Sequence, residues 1–388
     1  DGALVFNQNI GMRIRGTSTR SDVKKDFTLF ARSKYDESDH FLFALFTTPT
    51  DSLILRLRTD GQKEGFLSSL VSDRDLTIQQ YQMVNLYLNG EFWGIYSLLS
   101  RIDEYYLSKL YGIEQENIAL VKINHFPEGS KQAMHYYREL VDFLTSADLS
   151  IPENYEKACG MIDIQSLIDY YVTSSYLNNI DTNPFEINSV MWRAVNVPGE
   201  GYADGRWRFG LYDLDHATSS RSFGLIEGLQ SKNIVQAYQF NFFAEFFPYG
   251  ARGPIEDPYL TAFMANPEFR RQFYDSFHEI ANRNFNADKV LALLDELPYQ
   301  EGTEKLADFF VNRPSYIFNY LDDYMQNYSG NYNRVKAEEA AAKNRFHFPL
   351  NSGTATVSLL AFSVLSLLLV ALYIKNCVGG RRRKGGER

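Results

Sequence analysis

Cysteine is nearly absent. Cys159 and Cys377 are the two in 388 residues, one mid-chain and one in a basic tail, so no disulfide framework holds this chain together. The six histidines are scattered, and no zinc-type spacing, Walker loop or Gly-x-Ser-x-Gly elbow occurs. Structural zinc, P-loop NTPases and α/β-hydrolases are therefore excluded as classes. Internal repeats are missing too. Positive charge is scarce outside the C-terminus: beyond Asn351 stand six basic residues and one acidic one, leaving 33 basic against 47 acidic before it. A body near -14 argues against a nucleic-acid groove and leaves room for a basic protein substrate.

What is present is apolar and aromatic. With 45% hydrophobic and 15% aromatic residues the chain is globular and long enough for a large core or two packed lobes. Thr354 to Ile374 is a run of 21 residues without charge, the length that spans a hydrocarbon layer. Lys375, Arg381, Arg382, Arg383 and Lys384 follow it. The positive-inside rule then sets a short basic tail in the cytoplasm and everything before the span outside. The chain opens on Asp1 with no initiator Met, and an upstream segment is expected.

The first 122 residues read as mostly β with one prominent helix. Ile10 to Arg15 alternates, Gly16 to Ser21 turns, and Lys24 to Arg32 alternates again. Strand, small-residue turn, strand can cover phosphates, since small residues let backbone N–H groups approach an anion. Lys25 or Lys24 can then reach those phosphates as a point charge, or simply sit on a solvated strand edge. Leu53 to Leu57 is a short strand. Met83 to Leu88 and Glu91 to Leu99 flank Asn89-Gly90, a strong hairpin signal because both turn residues accept positive φ. Ser100 with Asp103 reads as a capping box opening a helix through Leu110. From Lys131 helical patterning dominates, with long helices predicted over Leu260 to Asn282 and Thr303 to Tyr328, and a stalk helix over Val335 to Lys343.

The central stretch, 163 to 215, departs from that pattern. Ile164, Leu167, Ile168 and Tyr171 fall at helical spacing behind Asp163, which predicts a buried, capped helix. It ends in Asn178-Asn179-Ile180-Asp181-Thr182-Asn183-Pro184, where Pro184 requires a loop. Two strand-like runs follow, Ser189 to Ala194 and Arg206 to Tyr212, joined by Val197-Pro198-Gly199-Glu200-Gly201. A hairpin folds its ends together, so Asp181 and Asn188 at its entrance and Asp213 at its exit can share one site. Phosphoryl transfer needs that layout: one carboxylate for the attacking hydroxyl, an amide and a second carboxylate for magnesium. Asp213-Leu214-Asp215 taken alone reads more readily as a solvated turn after an edge strand, and its context is what weakens that reading.

The ordered blocks Arg15-Gly16-Thr17-Ser18-Thr19 with Lys24-Lys25, Leu86 to Tyr96, Asp169-Tyr170-Tyr171 to Asp181, Trp207 to Asp215, Asn266 to Arg270 and Arg313-Pro314 resemble the spore-coat protein H (CotH) kinases, an atypical branch of the protein-kinase-like fold. The resemblance covers about 1 to 328. It implies an α+β, two-lobed fold with a small lobe over 1–122 and a large lobe over 123–328, to which the helical composition, the apolar run and its basic flank add a stalk over 329–352, a transmembrane helix over 353–374 and a basic tail over 375–388. It also implies ATP- and Mg2+- or Mn2+-dependent phosphorylation of Ser or Thr in Ser-rich secreted or surface proteins. Carried over by position, Asp181 is the catalytic carboxylate and Asn188 the metal-holding amide, with Asn183 the alternative register. Asp213 is the metal carboxylate and Asp215 its partner, while Lys25 and Arg15 are nucleotide-binding. Where the family carries Glu at the opening of the helix after the Gly-x-Tyr strand, this chain has Ser100, with Glu104 one turn on. An inactive surface adhesin is the competing reading.

Overall fold

The computed structural model describes residues 3–16, 19–42, 46–124, 126–180, 188–197, 199–219, 236–248 and 257–345. Asp181, Asn183 and the apolar run Thr354 to Ile374 lie outside them. No helix among the described residues is long and apolar enough to cross a membrane. Residues 1–331 form one unit and 332–388 a second, of which 332–345 are described, as helix.

The fold is mixed α+β, built on two antiparallel sheets. The first takes β1 (Gly11–Ile14), β2 (Phe27–Phe30), β3 (Ser52–Leu57), β4 (Tyr81–Leu88) and β5 (Glu91–Ser100) in the order β1-β2-β3-β5-β4. Phe27, Leu53, Leu55, Tyr96 and Leu98 bury one face of it. The predicted turn holds, with Asn89 at φ 53° and Gly90 at 85°.

Between β3 and β4 runs a helix that the apolar pattern does not announce, α1 (Arg58–Ser69). Gly61 and Gly65 interrupt its sequence and weaken its intrinsic propensity. Both are needed for close approach. A Cβ on Gly61 would stand 2.6 Å from Ser97 Cβ, and one on Gly65 would collide with the Tyr81 ring. The glycines thus set α1 directly on β4 and β5.

The second sheet, in the order β7-β6-β8-β9, takes β6 (Ile118–Asn124), β7 (Phe126–Gly129), β8 (Ser189–Ala194) and β9 (Arg208–Gly210). The predicted hairpin is β8 with β9, paired Val190 to Gly210, Met191 to Phe209 and Trp192 to Arg208. The loop after α1 is stitched to this sheet. Thr77 N–H donates to Phe209 O at 3.0 Å, Leu211 N–H to Thr77 O at 2.8 Å, and Trp192 Nε1 to Thr77 Oγ1 at 2.8 Å. Those bonds fix where α1 stands relative to the end of β9.

Helices complete the unit: α2 (Glu104–Tyr111), α3 (Lys131–Ser146), α4 (Pro152–Met161), α5 (Ile164–Tyr176), α6 (Phe242–Phe246), α7 (Pro258–Phe263), α8 (Pro267–Arg283), α9 (Ala287–Asp295), α10 (Thr303–Asn312) and α11 (Pro314–Arg345). The expected capping box is replaced by a simpler arrangement. Asp103 caps α2 by accepting from Tyr106 N–H, while Ser100 is buried at the end of β5 with its Oγ accepting from Gln80 N–H. The long helices expected over 260–282 and 303–328 are each broken, at Asn266-Pro267 and Arg313-Pro314, because proline sits at a first helical position and lacks the N–H a continuous helix needs. The stalk helix is the end of α11.

The predicted helix over 163–176 is α5, with Asp163 accepting from the N–H groups of Gln165 and Ser166. Every residue from Ser166 to Tyr176 is buried. Burying side chains such as Leu167, Ile168 and Val172 contributes roughly 1.5–3 kcal/mol each. Tyr170 stacks on Phe209 with centroids 4.8 Å apart, fastening α5 to the hairpin. At its C-terminus the fully buried Arg313 donates to the carbonyls of Ser175, Tyr176, Tyr238 and Phe240 at 2.7–3.1 Å. One planar guanidinium so satisfies helix-end acceptors just before the Asn178-Asn179 loop.

Candidate active site

The centre of the site is Arg56, a lone cation near the end of the apolar strand β3. Its Nη1 donates to Glu64 Oε2 of α1 and to Asp213 Oδ1 at 2.8 Å, and its Nη2 to Asp215 Oδ2 at 3.0 Å. Its Nε stands 4.0 Å from Asp26 Oδ2. Asp26 is itself held, accepting from Leu57 N–H at 2.9 Å. Glu64 reaches across with its second oxygen, Oε1, to accept the backbone N–H of Asp213 at 3.0 Å. One residue of α1 thus holds both the cation and the backbone of the residue that leaves the hairpin. Asp213 is at φ 57°, in the left-handed region that Asp tolerates better than most residues.

Charge explains why this cluster is poised. Asp26, Glu64, Asp213 and Asp215 surround Arg56, so the acids outnumber it even with Arg15 nearby. Burial alone would lower the Arg56 guanidinium, but Glu64, Asp213 and Asp215 hold it well above its ordinary value. Glu64 rises, first because it is buried and further because Asp213 lies beside it, although Arg56 pulls the other way. The two partners therefore do not behave as a simple pair. Glu64 is a carboxyl crowded by like charge, and its direction reflects that crowding.

The predicted residues fall into two groups. Asp213 and Asp215 meet at Arg56, and Arg15 joins them through Nη2 donating to Tyr212 OH at 2.7 Å. Asn188 lies just before β8, buried and at φ 52°; continuing the β8–β9 register sets it opposite Tyr212. Lys25 is turned elsewhere, its Nζ donating to the carbonyls of Arg20 (2.6 Å) and Asp22 in its own turn. Asp181 lies outside the described residues. Arg56 and Glu64 are the residues that sequence reasoning passed over. A charge inside Leu53-Ile54-Leu55-Arg56-Leu57 was the available signal, since an unpaired cation is not placed in a buried strand. Lys122 was missed as well: on β6, it is pushed down to about 8 by burial first and by neighbouring Arg101, and with Arg101 and Glu104 it lines a cavity of about 330 Å3.

The donor set suits a divalent cation in part. Asp215 Oδ1 is buried without a hydrogen-bond partner, with His216 Nε2 3.9 Å away. An orphaned anionic oxygen amid excess negative charge fits a metal or a bound ligand's cation. No group of three or more His, Cys, Asp and Glu stands at metal-holding spacing among the described residues, so Asp213 and Asp215 would need an amide such as Asn188 and ligand oxygens to complete a shell.

Fold and site together define a mixed α+β protein with a buried Arg–carboxylate centre where a helix of the first sheet meets the hairpin of the second. The family described as CotH kinase protein matches residues 12–337, and the chain belongs to that family. Among solved structures it is similar to the Helicobacter pylori proinflammatory kinase CtkA, at 10% identity and a TM-score of 0.37, over 76% of this chain and 96% of that one. No curated protein matches it.

Proposed function

We propose that the protein is an atypical protein kinase that transfers the γ-phosphoryl group of ATP to Ser or Thr of a protein substrate. The observation that carries this reading is the Arg56–Glu64 pair set against Asp213. Kinases require a strand cation paired to a helix carboxylate together with a metal carboxylate beyond a hairpin, and catalyse mainly by positioning and electrostatics. Arg56 and Glu64 meet the first requirement and Asp213 the second. In this reading Arg56 orients the phosphates, Arg15 adds charge at the nucleotide, Lys25 would join it only on leaving the carbonyls of Arg20 and Asp22, and Asp181 accepts the hydroxyl proton. Asn188, Asp213 and Asp215 are the residues that would hold Mg2+ or Mn2+, which when bound neutralises phosphate charge. The adhesin reading rested on Ser100, and Glu64 now supplies a carboxylate partner that Ser100 does not.

The acidic body supports a basic, Ser-rich secreted or surface substrate, and Thr354 to Ile374 with its basic flank supports anchoring in a membrane with residues 1–331 outside the cytoplasm. The test is transfer of labelled γ-phosphate to a Ser-rich basic protein. The expected result is metal-dependent transfer by the wild type, and a loss of about 10³-fold in Asp181→Asn and Asp213→Asn. Equal transfer by either variant removes that residue from the mechanism.

A further inference from the structure

Strand β3 connects the Arg56 centre to a second polar site. Ser52, Ile54 and Arg56 alternate onto one face of the strand, and the four-residue step from the first to the last spans about 13 Å. At one end Arg56 meets Asp213. At the other Ser52 Oγ donates to Asp103 Oδ2 at 2.5 Å, and Asp103 lines the cavity of about 330 Å3 that Lys122 also lines. Arg15 is close to both: its Nη2 donates to Tyr212 OH beside Asp213, and its charge acts on Glu64 at the centre and on Lys122 at the cavity. An extended nucleoside triphosphate with its terminal phosphates at Arg56 has the length to set its base in this cavity.

The cavity carries charge that has no partner in the fold. Lys122 Nζ makes no hydrogen bond or ion pair with a described residue, although Glu128 stands directly across from it in the β6–β7 register. Asp51 Oδ1 is buried without a hydrogen-bond partner, and burial first, then Asp103, pushes that carboxyl up to about 6. Asp103 is occupied by Ser52 and by the Tyr106 N–H at the start of α2, with Arg101 drawn to it at 3.9 Å. Asp51, Glu104 and Glu128 remain as open acceptors against Lys122. Unpaired ionic groups are costly to bury, and in a cleft a ligand is what offsets that cost.

The balance favours one kind of base. Carboxylates only accept hydrogen bonds and an ammonium group only donates them, so this lining suits an edge with more donors than acceptors. Guanine has that edge: O6 accepts, while N1–H and the N2 amino group donate side by side. Adenine presents one amino group beside N1, a ring nitrogen that accepts, so a carboxylate placed to receive the first is repelled by the second. We propose that the nucleotide of this centre is read at its base by side chains and that guanine is taken in preference to adenine, Lys122 donating to O6 while the carboxylates of Asp51, Glu104 and Glu128 receive the N1 and N2 donors. The inference rests on the kinase reading; GTP and ATP share the phosphates held at Arg56 and differ at this cavity.

The experiment titrates GTP, inosine triphosphate and ATP, each with Mg2+, against the full-length protein and follows the melting temperature. Inosine triphosphate keeps O6 and N1–H and lacks the N2 amino group. GTP is expected to reach half of its full effect at a concentration about tenfold below that of ATP, the discrimination a matched polar pair gives against the wrong base, with inosine triphosphate between them. Lys122→Met should abolish that difference, and Asp51→Asn should narrow it. The comparison on the wild type decides the matter even where a variant fails to fold. ATP acting at the same concentration as GTP or a lower one, or a preference for GTP undiminished in Lys122→Met, overturns the inference and leaves the kinase reading standing. No stabilisation by any of the three overturns both.

Discussion

Helices α1 and α5 both feed the same centre, but they are held in opposite ways. α5 is buried on all sides, capped by Asp163 and stacked on Phe209 through Tyr170. α1 carries two glycines, has no side-chain N-cap and stays in place through close backbone approach and an ion cluster. The capped helix precedes Asp181 in sequence, and the glycine-bearing one carries Glu64. α1 also buries Phe66 and Leu67, so both walls are packed, and they differ in what positions the charged residue: Glu64 is set by the close approach at Gly61 and Gly65 and by Arg56.

Breaking the α5 side should cost most. Arg313→Met leaves four carbonyls without their donor, and a loss of roughly 4 kcal/mol or more is expected in urea unfolding. Arg56→Met, on the α1 side, strands Glu64, Asp213 and Asp215 and should cost about 3 kcal/mol by the same measurement, with phosphoryl transfer lost. Gly65→Ala should lose about 2 kcal/mol by driving α1 off Tyr81, whereas Gly160→Ala in α4, with open space around it, should be neutral or gain up to about 1 kcal/mol. Comparing the two alanine variants by thermal melting isolates the close approach from helix propensity.

The smallest effect concerns the loop that ties α1 to α5. Asp75 N–H donates to Asp169 Oδ2 at 2.9 Å, and the Asp75 carboxyl is pushed up to about 6 by burial first and then by Asp163, with Arg208 opposing. The folded state thus keeps a proton that the unfolded chain releases near pH 4. That contribution is complete below about pH 4 and fades as pH rises through 6. Asp75→Asn should flatten the stability profile between pH 4 and 6 and gain about 1 kcal/mol at pH 7, a figure reduced because the group is half open to solvent.

The contrast between the helices also marks what could be read from residues alone. α5, the Asn89-Gly90 turn and the β8–β9 hairpin were legible because each rests on a local signal: helical spacing, positive-φ turn residues, paired strand runs. α1 was not, because Gly61 and Gly65 erase propensity and serve a contact with β4 and β5 that only the folded sheet reveals. Asp213 and Asp215 were legible as acids leaving a strand. Their partner Arg56 was not, since its meaning depends on residues 157 and 159 positions away. Lys25 has the chemistry expected of a phosphate contact, yet its turn draws it to the carbonyls of Arg20 and Asp22. Ser100 drew attention to a missing carboxylate, and the carboxylate on Arg56 comes from Glu64, in the helix the pattern concealed.

The most direct test is thermal stabilisation by ATP, with and without Mg2+, in the wild type and in Glu64→Gln. A ligand that binds only the folded state raises its melting temperature. The wild type should rise with ATP and metal together, and Glu64→Gln should lose most of that rise because Arg56 and the Asp213 backbone are no longer held by one carboxylate. Equal, metal-dependent rises in both proteins would contradict the account of α1, and no rise in either would contradict nucleotide binding at this centre.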